Sequence, residues 1–168
     1  MIQMTIDHEA AAASPSFDPA PAEEPAEASF ITVRRSGQRP LGFRGAVVAH
    51  GMSFRVGTPF WYELNVFRTA TGGFVADIRH FTKADGEQDS FKVCVSDSLE
   101  EILDFFEGYE PAHDVKADLD LDQADIAVSE LAFKALALRM KVEEARAQYE
   151  GMVSEIFAQL DEGLGVAG

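Results

Sequence analysis

The stretch that decides the fold is Trp61–Val95, WYELNVFRTATGGFVADIRHFTKADGEQDSFKVCV. Tyr62, Leu64 and Val66 alternate with Glu63 and Asn65, and Phe74, Ala76, Ile78 and His80 alternate with Asp77, Arg79 and Phe81. Phe91, Val93 and Val95 alternate with Lys92 and Cys94. A period of two puts successive side chains on opposite faces, so each run reads as a half-buried strand. The turns fix the register. A three-residue loop Ala70-Thr71-Gly72 sets Val66 opposite Ala76, Leu64 opposite Ile78 and Glu63 opposite Arg79, with Gly72 supplying the left-handed residue such a loop needs. Asp85-Gly86, read as a type I′ pair, sets Ile78 opposite Val93 and His80 opposite Phe91. Both turns keep one apolar face continuous, which predicts a three-stranded meander.

Working outward, residues 30–35 and 41–50 add two strands before it. Leu41, Phe43, Val47 and Ala49 alternate with Arg44, Val48 and His50, and Gly42, Gly45 and Gly51 mark a bulge or bend. Residues 1–29 are rich in Ala, Pro and Glu, with Pro15, Pro19, Pro21 and Pro25 and no apolar period, the composition of a disordered tail. On the other side, Ser98-x-x-Glu101 forms a capping box before Leu99, Ile102, Leu103 and Phe106, which predicts a helix closed by Gly108. Its wet face carries Glu100, Glu101, Asp104 and Glu107. Residues 109–123 read as a loop.

The last element is a long helix, Gln123 to Glu162, stopping at Gly163. Its seam, Val128, Leu131, Ala135, Leu138, Val142, Ala145, Tyr149, Met152 and Ile156, steps by 3 and 4 in strict alternation, a heptad pattern. Such a helix spans roughly 50–60 Å, whereas a compact body of the remaining size is roughly 35–40 Å across. The helix must therefore break near Gly151, fold back, or find a partner. Phe133, Leu136 and Met140 widen the apolar face of its first half, which favours packing of residues 126–142 on the sheet and leaves 143–162 for a partner. A parallel self-pair would set Lys134 against Arg139 and Lys141 against Arg146, so an antiparallel homo-oligomer or a different protein fits better. The expected organisation is thus α+β: a tail (1–29), an antiparallel β-meander of four to five strands with a short acidic helix (30–122), and a long amphipathic helix (123–163).

Charge is segregated along the 168 residues, whose net charge is −15. Residues 1–29 carry six acids and no base, 30–95 nine bases against five acids, and 96–168 eighteen acids against five bases. An acidic field of this kind repels nucleic acid and membrane phosphates and attracts a basic protein surface. No apolar run reaches the roughly 18 residues of a membrane span. The N-terminus has neither the basic nor the apolar region of a secretory signal. The single Cys94 forms no internal disulfide, which suits a reducing cytoplasm.

A search for chemistry finds little. His8, His50, His80 and His113 show no metal-ligand spacing, and one Cys makes no thiolate cluster. Asp118-x-Asp120-x-Asp122 opens like a calcium loop but has Gln123 where Gly is needed and Ser129 where a bidentate Glu is needed. His80 reads as a hydrogen-bonded core residue. Cys94 is expected on the opposite face beside Lys92, a neighbour that lowers a thiol's pKa slightly. Glu63 and Arg79 read as a surface ion pair across two strands. No phosphate loop or nucleophile motif occurs. These observations predict no enzyme, no cofactor and no metal.

The segments Phe43-Arg44-Gly45, Trp61-Tyr62-Glu63-Leu64-Asn65-Val66-Phe67-Arg68-Thr69 and Gly73-Phe74-Val75 resemble a block, F-x-G, W-x-E-L-x-L-Y-R-T, G-x-Y-V, of uncharacterised small bacterial proteins. Phe67 and Phe74 stand where that block has Tyr. The resemblance covers under a quarter of the chain. It implies an accessory protein of the kind that phages, plasmids and other mobile elements carry, and no activity.

The sequence supports three functional expectations. The first is non-enzymatic protein binding, with Glu100, Glu101, Asp104 and Glu107 steering a basic partner and Tyr149, Met152, Val153, Ile156 and Phe157 as the apolar anchor. The second is an inhibitor whose carboxylates imitate nucleic-acid phosphates at a host nuclease or defence complex. The third is single-strand binding by a basic, aromatic sheet face bearing Phe67, Arg79, Phe81 and Lys92.

Overall fold

Period-two patterning becomes strands where the sequence places it. The computed structural model describes residues 28–117 and 126–165. The expected tail lies almost wholly outside these residues, as do Asp118, Asp120, Asp122 and the expected helix start at Gln123. Strands β1 (Ser29–Val33), β2 (Leu41–Met52), β3 (Phe60–Thr69), β4 (Phe74–Thr82) and β5 (Ser90–Ser96) form one antiparallel sheet in sequential order. Helix α1 (Leu99–Glu107), a 3-10 helix (Pro111–Asp114) and helix α2 (Val128–Gly165) follow. This is the expected α+β architecture. Among the described residues, no helix is long and apolar enough to cross a membrane.

The β3–β4 register is the expected one: Val66 faces Ala76, Leu64 faces Ile78 and Glu63 faces Arg79. Gly72 sits at φ 96°, in the left-handed region the loop demands. The β4–β5 register is shifted by one residue, with Ile78 opposite Lys92 and His80 opposite Ser90. The reason lies in the turn. A type I′ pair needs positive φ at both central residues, yet among the described residues only glycines have it, so Asp85 does not. The Thr82 amide donates to Asp89 Oδ1 at 3.1 Å and the Thr82 hydroxyl to Glu87 Oε2 at 2.9 Å, which opens a wider loop. One residue of slip exchanges the faces of a strand. Phe91, Val93 and Val95 therefore turn away from the Ile78 face, and Lys92 and Cys94 turn toward it.

A bulge does the same in β2. Val47 pairs with Phe67 but Ala49 pairs with Val66, so Val48 is the extra residue. Ala49 is buried, while Val47 on the other face is 55% exposed. Close by, Gly45 lies between Ser29 and Thr69, and a Cβ added there would meet the Arg68 carbonyl oxygen. Backbone cannot swing aside as a side chain can. Gly45→Ala is therefore expected to cost about 1–3 kcal/mol, read as a lower urea midpoint.

The sheet has two apolar faces. Leu64, Val66, Ala76 and Ile78 lie under the helices in one core with Ile102, Phe106, Tyr149 and Ile156. On the other face Val33, Phe67 and Val75 form a second cluster, with Ile31 and Val93 packed against it. Strands β1 and β5 are at opposite ends of the strand order, so sharing a cluster requires the sheet to curl toward that face. The curl brings the edges together at one corner, where the Ser36 amide donates to the Phe91 carbonyl at 2.9 Å and the Phe91 amide to Ser36 Oγ at 2.8 Å.

In α1, Ile102 and Phe106 are buried and Gly108 is the C-cap, as expected. Ser98 occupies the N-cap position without a side-chain cap bond. Its amide instead donates to Ser96 Oγ at 2.9 Å, and the Ser96 hydroxyl donates to the Glu101 carboxylate. Helix α2 runs unbroken through Gly151 and Gly163. Its 38 residues span about 57 Å at 1.5 Å per residue.

Candidate functional site

Periodicity fixes which stripe of α2 is apolar but not which half of it meets the sheet. The distal half does. Ala145, Tyr149, Met152, Ile156 and Leu160 are all buried. Polar contacts hold the same half down. The Gln159 side chain accepts from the His50 amide at 3.0 Å and donates to the His50 carbonyl at 2.9 Å, copying a strand's pairing. Arg146 Nε donates to Glu110 Oε1 at 3.1 Å, and that bond holds the Glu110 carboxyl below its ordinary range. Tyr149 donates to the Phe106 carbonyl at 2.7 Å.

The expected anchor is thereby corrected. Tyr149, Met152 and Ile156 belong to this protein's own core, and Val153 and Phe157 pack half-buried against it. The expected packing of residues 126–142 is corrected too. In that half Val128 is 84% exposed, Phe133 73%, Leu136 56% and Met140 65%. The second half of α2 packs across β2 and β3, with Tyr149, Met152, Ile156 and Leu160 in the sheet's core. Phe133, Leu136 and Met140 step by 3 and 4, which lines them along one stripe. Leu131 lies on nearly the opposite side of the helix, and Val128 about a third of a turn from the stripe. A helix with apolar side chains around so much of its circumference is normally covered.

On α1, Glu100, Glu101, Asp104 and Glu107 are exposed, and Glu101 accepts from Ser96. Phe106 of this helix packs in the core with Tyr149. Tyr149 lies 16 residues along α2 from Phe133, about 24 Å at helical rise. The acidic helix and the exposed apolar stripe are thus separate surfaces.

The four residues of the expected single-strand face do not form one surface. Phe67 is buried in the second cluster. Lys92 lies on the helix-covered face, 4.7 Å from the Tyr109 ring centroid. Phe81 stacks on Trp61 at 5.1 Å. Arg79 is occupied by carboxylates: Nη1 donates to Glu63 at 3.0 Å, and Nε and Nη2 meet Asp77 Oδ2 at 2.8 and 2.7 Å. The expected Glu63–Arg79 pair is real, but it belongs to a larger network. Asn65 donates to Asp77 Oδ1 at 2.7 Å and contacts His50 Nδ1 through its own oxygen at 2.7 Å. Asp77 is 1% exposed, and burial raises its carboxyl above the ordinary range against the pull of Arg79 and Asn65. The signal for this network was the spacing of Glu63, Asn65, Asp77 and Arg79, all on one face at period two.

Cys94 packs against the helix-covered core, where burial and the nearby Glu101 push its thiol up. The lowering expected from Lys92 does not occur. His80 holds the expected core position, 5% exposed, but among the described residues its ring makes no hydrogen bond, which corrects the expectation of a hydrogen-bonded histidine. Its neighbours are the rings of Tyr62 at 5.1 Å and Phe60 at 5.8 Å.

Beside His80 lies a cleft that the sequence reading missed. The 3-10 helix carries Asp114 under the end of β3, and Asp114 Oδ2 accepts from the hydroxyls of Tyr62 at 2.9 Å and Tyr109 at 2.5 Å. Burial first, and Asp114 after it, raise the Tyr62 and Tyr109 phenols well above their ordinary range. The cleft opens between this group, the β4–β5 loop and the point where α2 leaves the sheet, with Lys141, Glu144 and Ala145 on the α2 side. Its only sequence cue was Pro111 and Asp114 inside a loop. No group of three His, Cys, Asp or Glu side chains among the described residues is placed to hold a metal ion.

The fold and these surfaces define an α+β protein with a curled five-stranded sheet and a helix that projects beyond it. Comparison with protein-family models, curated proteins and solved structures gives no match.

Proposed function

We propose that this is a non-enzymatic binding protein whose interface is the projecting half of α2, residues 128–142, and whose partner presents an amphipathic helix with an apolar seam and acidic flanks. The observation that carries the reading is the exposure of Phe133, Leu136 and Met140 along one stripe. Burying each such side chain contributes about 1.5–3 kcal/mol, enough for three to anchor a specific contact.

Charge selects the partner's flanks. Residues 128–142 hold Lys134, Arg139 and Lys141 against Glu130 alone, a basic segment in an acidic chain. A second copy would bring like charges together. In an antiparallel pair that sets Phe133 against Met140, Lys134 comes level with Arg139 of the second copy, and such juxtaposition of like charges is destabilising. An acidic helix removes that conflict. The partner surface anticipated for the acidic helix α1 was basic; at the exposed stripe the complement is acidic.

The test uses the full chain with Phe133→Asp and Met140→Asp. Sedimentation first decides between monomer and dimer. The expected result is a monomer whose unfolding midpoint the two changes leave unaltered. Its specific partners in a cell extract are lost on both changes, while a control change on α1, Asp104→Asn, keeps them. A stable dimer broken by the same changes would replace the heterologous reading with self-association. Retention of every partner would remove the interface.

A further inference from the structure

The cleft beside His80 shares Lys141 with the proposed interface and otherwise has a layout of its own. Its walls are apolar: Pro59, Phe60, Val115 and Ala145. Its interior offers acceptors. Asp114 Oδ2 is taken by two tyrosines and Glu87 Oε2 by Thr82. Among the described residues, Asp114 Oδ1 and Glu87 Oε1 take no hydrogen bond from protein. The His80 ring, nine-tenths buried, makes none either, yet it lines the cleft. No buried side-chain nitrogen or oxygen among the described residues is both fully enclosed and unpartnered. The ring nitrogens of His80 are therefore not fully enclosed, on a side chain that lines the cleft. Burial keeps the imidazole on the neutral side despite Asp114, Glu87 and Asp89, so it offers one acceptor and one donor.

The mouth has the opposite character. Lys116 and Lys141 are exposed there, and among the described residues neither is in an ion pair. Among the described residues, Glu144, one turn along α2 from Lys141, is the one acid at the rim. Acceptors inside, ammonium groups outside and apolar walls between them match a molecule with a positive and a negative end. We propose that this cleft binds a small zwitterion of the amino-acid class, its ammonium held by Asp114 and Glu87 beside the His80 ring and its carboxylate held by Lys116 and Lys141 at the mouth. A purely cationic ligand would leave the lysines uncompensated. A purely anionic one would set its charge against Asp114 and Glu87.

The experiment follows the His80 imidazole C–H signals of the full chain by NMR. The probes are the twenty free amino acids and the ω-amino acids from β-alanine to 6-aminohexanoate, each at about 10 mM, which detects binding weaker than about 1 mM. At least one is expected to shift His80 saturably. Its decarboxylated amine and its deaminated acid should each bind about tenfold more weakly, the loss of one charge-assisted contact. Lys141→Glu should weaken the zwitterion and spare the amine, and Glu87→Gln should weaken both. Lys141 carries no core packing, and Glu87→Gln keeps a side-chain oxygen to accept from the Thr82 hydroxyl that shapes the β4–β5 loop, so the fold is retained. The proposal is overturned if no probe moves His80, if the deaminated acid binds as well as its parent, or if both variants bind like the native chain.

Discussion

Ile156→Ala is expected to lower the free energy of unfolding by about 2–5 kcal/mol, whereas Phe133→Ala should change it by less than about 0.5 kcal/mol. Both residues sit on the same helix, both are large and apolar, and sequence pattern favours Phe133 as the buried one. The structure orders them the other way: Ile156 is 0% exposed and Phe133 is 73% exposed. Truncating Ile156 removes contacts with the sheet and leaves a cavity among Leu64, Tyr149 and Met152, which cannot fully collapse because Gln159 and Tyr149 hold the helix in place. Truncating Phe133 exposes no more than was exposed before. Urea titrations of the two variants read the difference directly. Equal losses, or a larger loss at Phe133, would mean that the projecting half is covered in solution.

How far the fold was legible follows from which interactions are local. The β3–β4 hairpin was readable because both its register and its turn depend on a short run of consecutive residues, with Gly72 at positive φ in the loop. The β4–β5 register was not, because it is set by side chains of Thr82, Glu87 and Asp89 bonding across the loop, and a glycine alone does not distinguish a tight turn from a wide one. The bulge at Val48 was signalled by nearby glycines, but its position was not, since alternation carries no mark of a skipped residue. In α2 the seam was correctly identified. Its burial was not, because burial depends on where the chain re-enters the body. The polar network around Asp77 was half legible: the Glu63–Arg79 pair came from the register, while the burial of Asp77 arises from the curl of the sheet, a property of all five strands together. The cleft depends on Tyr62 meeting Tyr109 and Asp114 from a distant part of the chain, which no local pattern encodes.

That curl makes a second large effect expected at Arg79. Arg79→Leu leaves Asp77, 1% exposed, without the guanidinium that meets it at 2.7 Å. Removing one partner of a buried pair costs about 3–5 kcal/mol. Arg79 itself is 25% exposed, which places the expected loss at neutral pH toward the lower end of that range. Glu63 also loses a partner, but its side chain keeps contact with water and adds little. The pH dependence separates an unpaired charge from a mere packing defect. Burial already raises the Asp77 carboxyl in the folded protein, so protonation there favours the folded state. The associated stability is fully present below the carboxyl's unfolded range and is lost as pH rises through the raised value. Without Arg79, the largest influence opposing burial is gone and that value moves higher still. The stability deficit of Arg79→Leu relative to the native chain should accordingly shrink between about pH 7 and pH 5. Adding Asp77→Asn, which keeps an acceptor for Asn65 and removes the charge, should recover part of the loss at neutral pH. A deficit that is the same at both pH values, and that Asp77→Asn deepens, would show that the guanidinium acts through packing and not through the charge it neutralises.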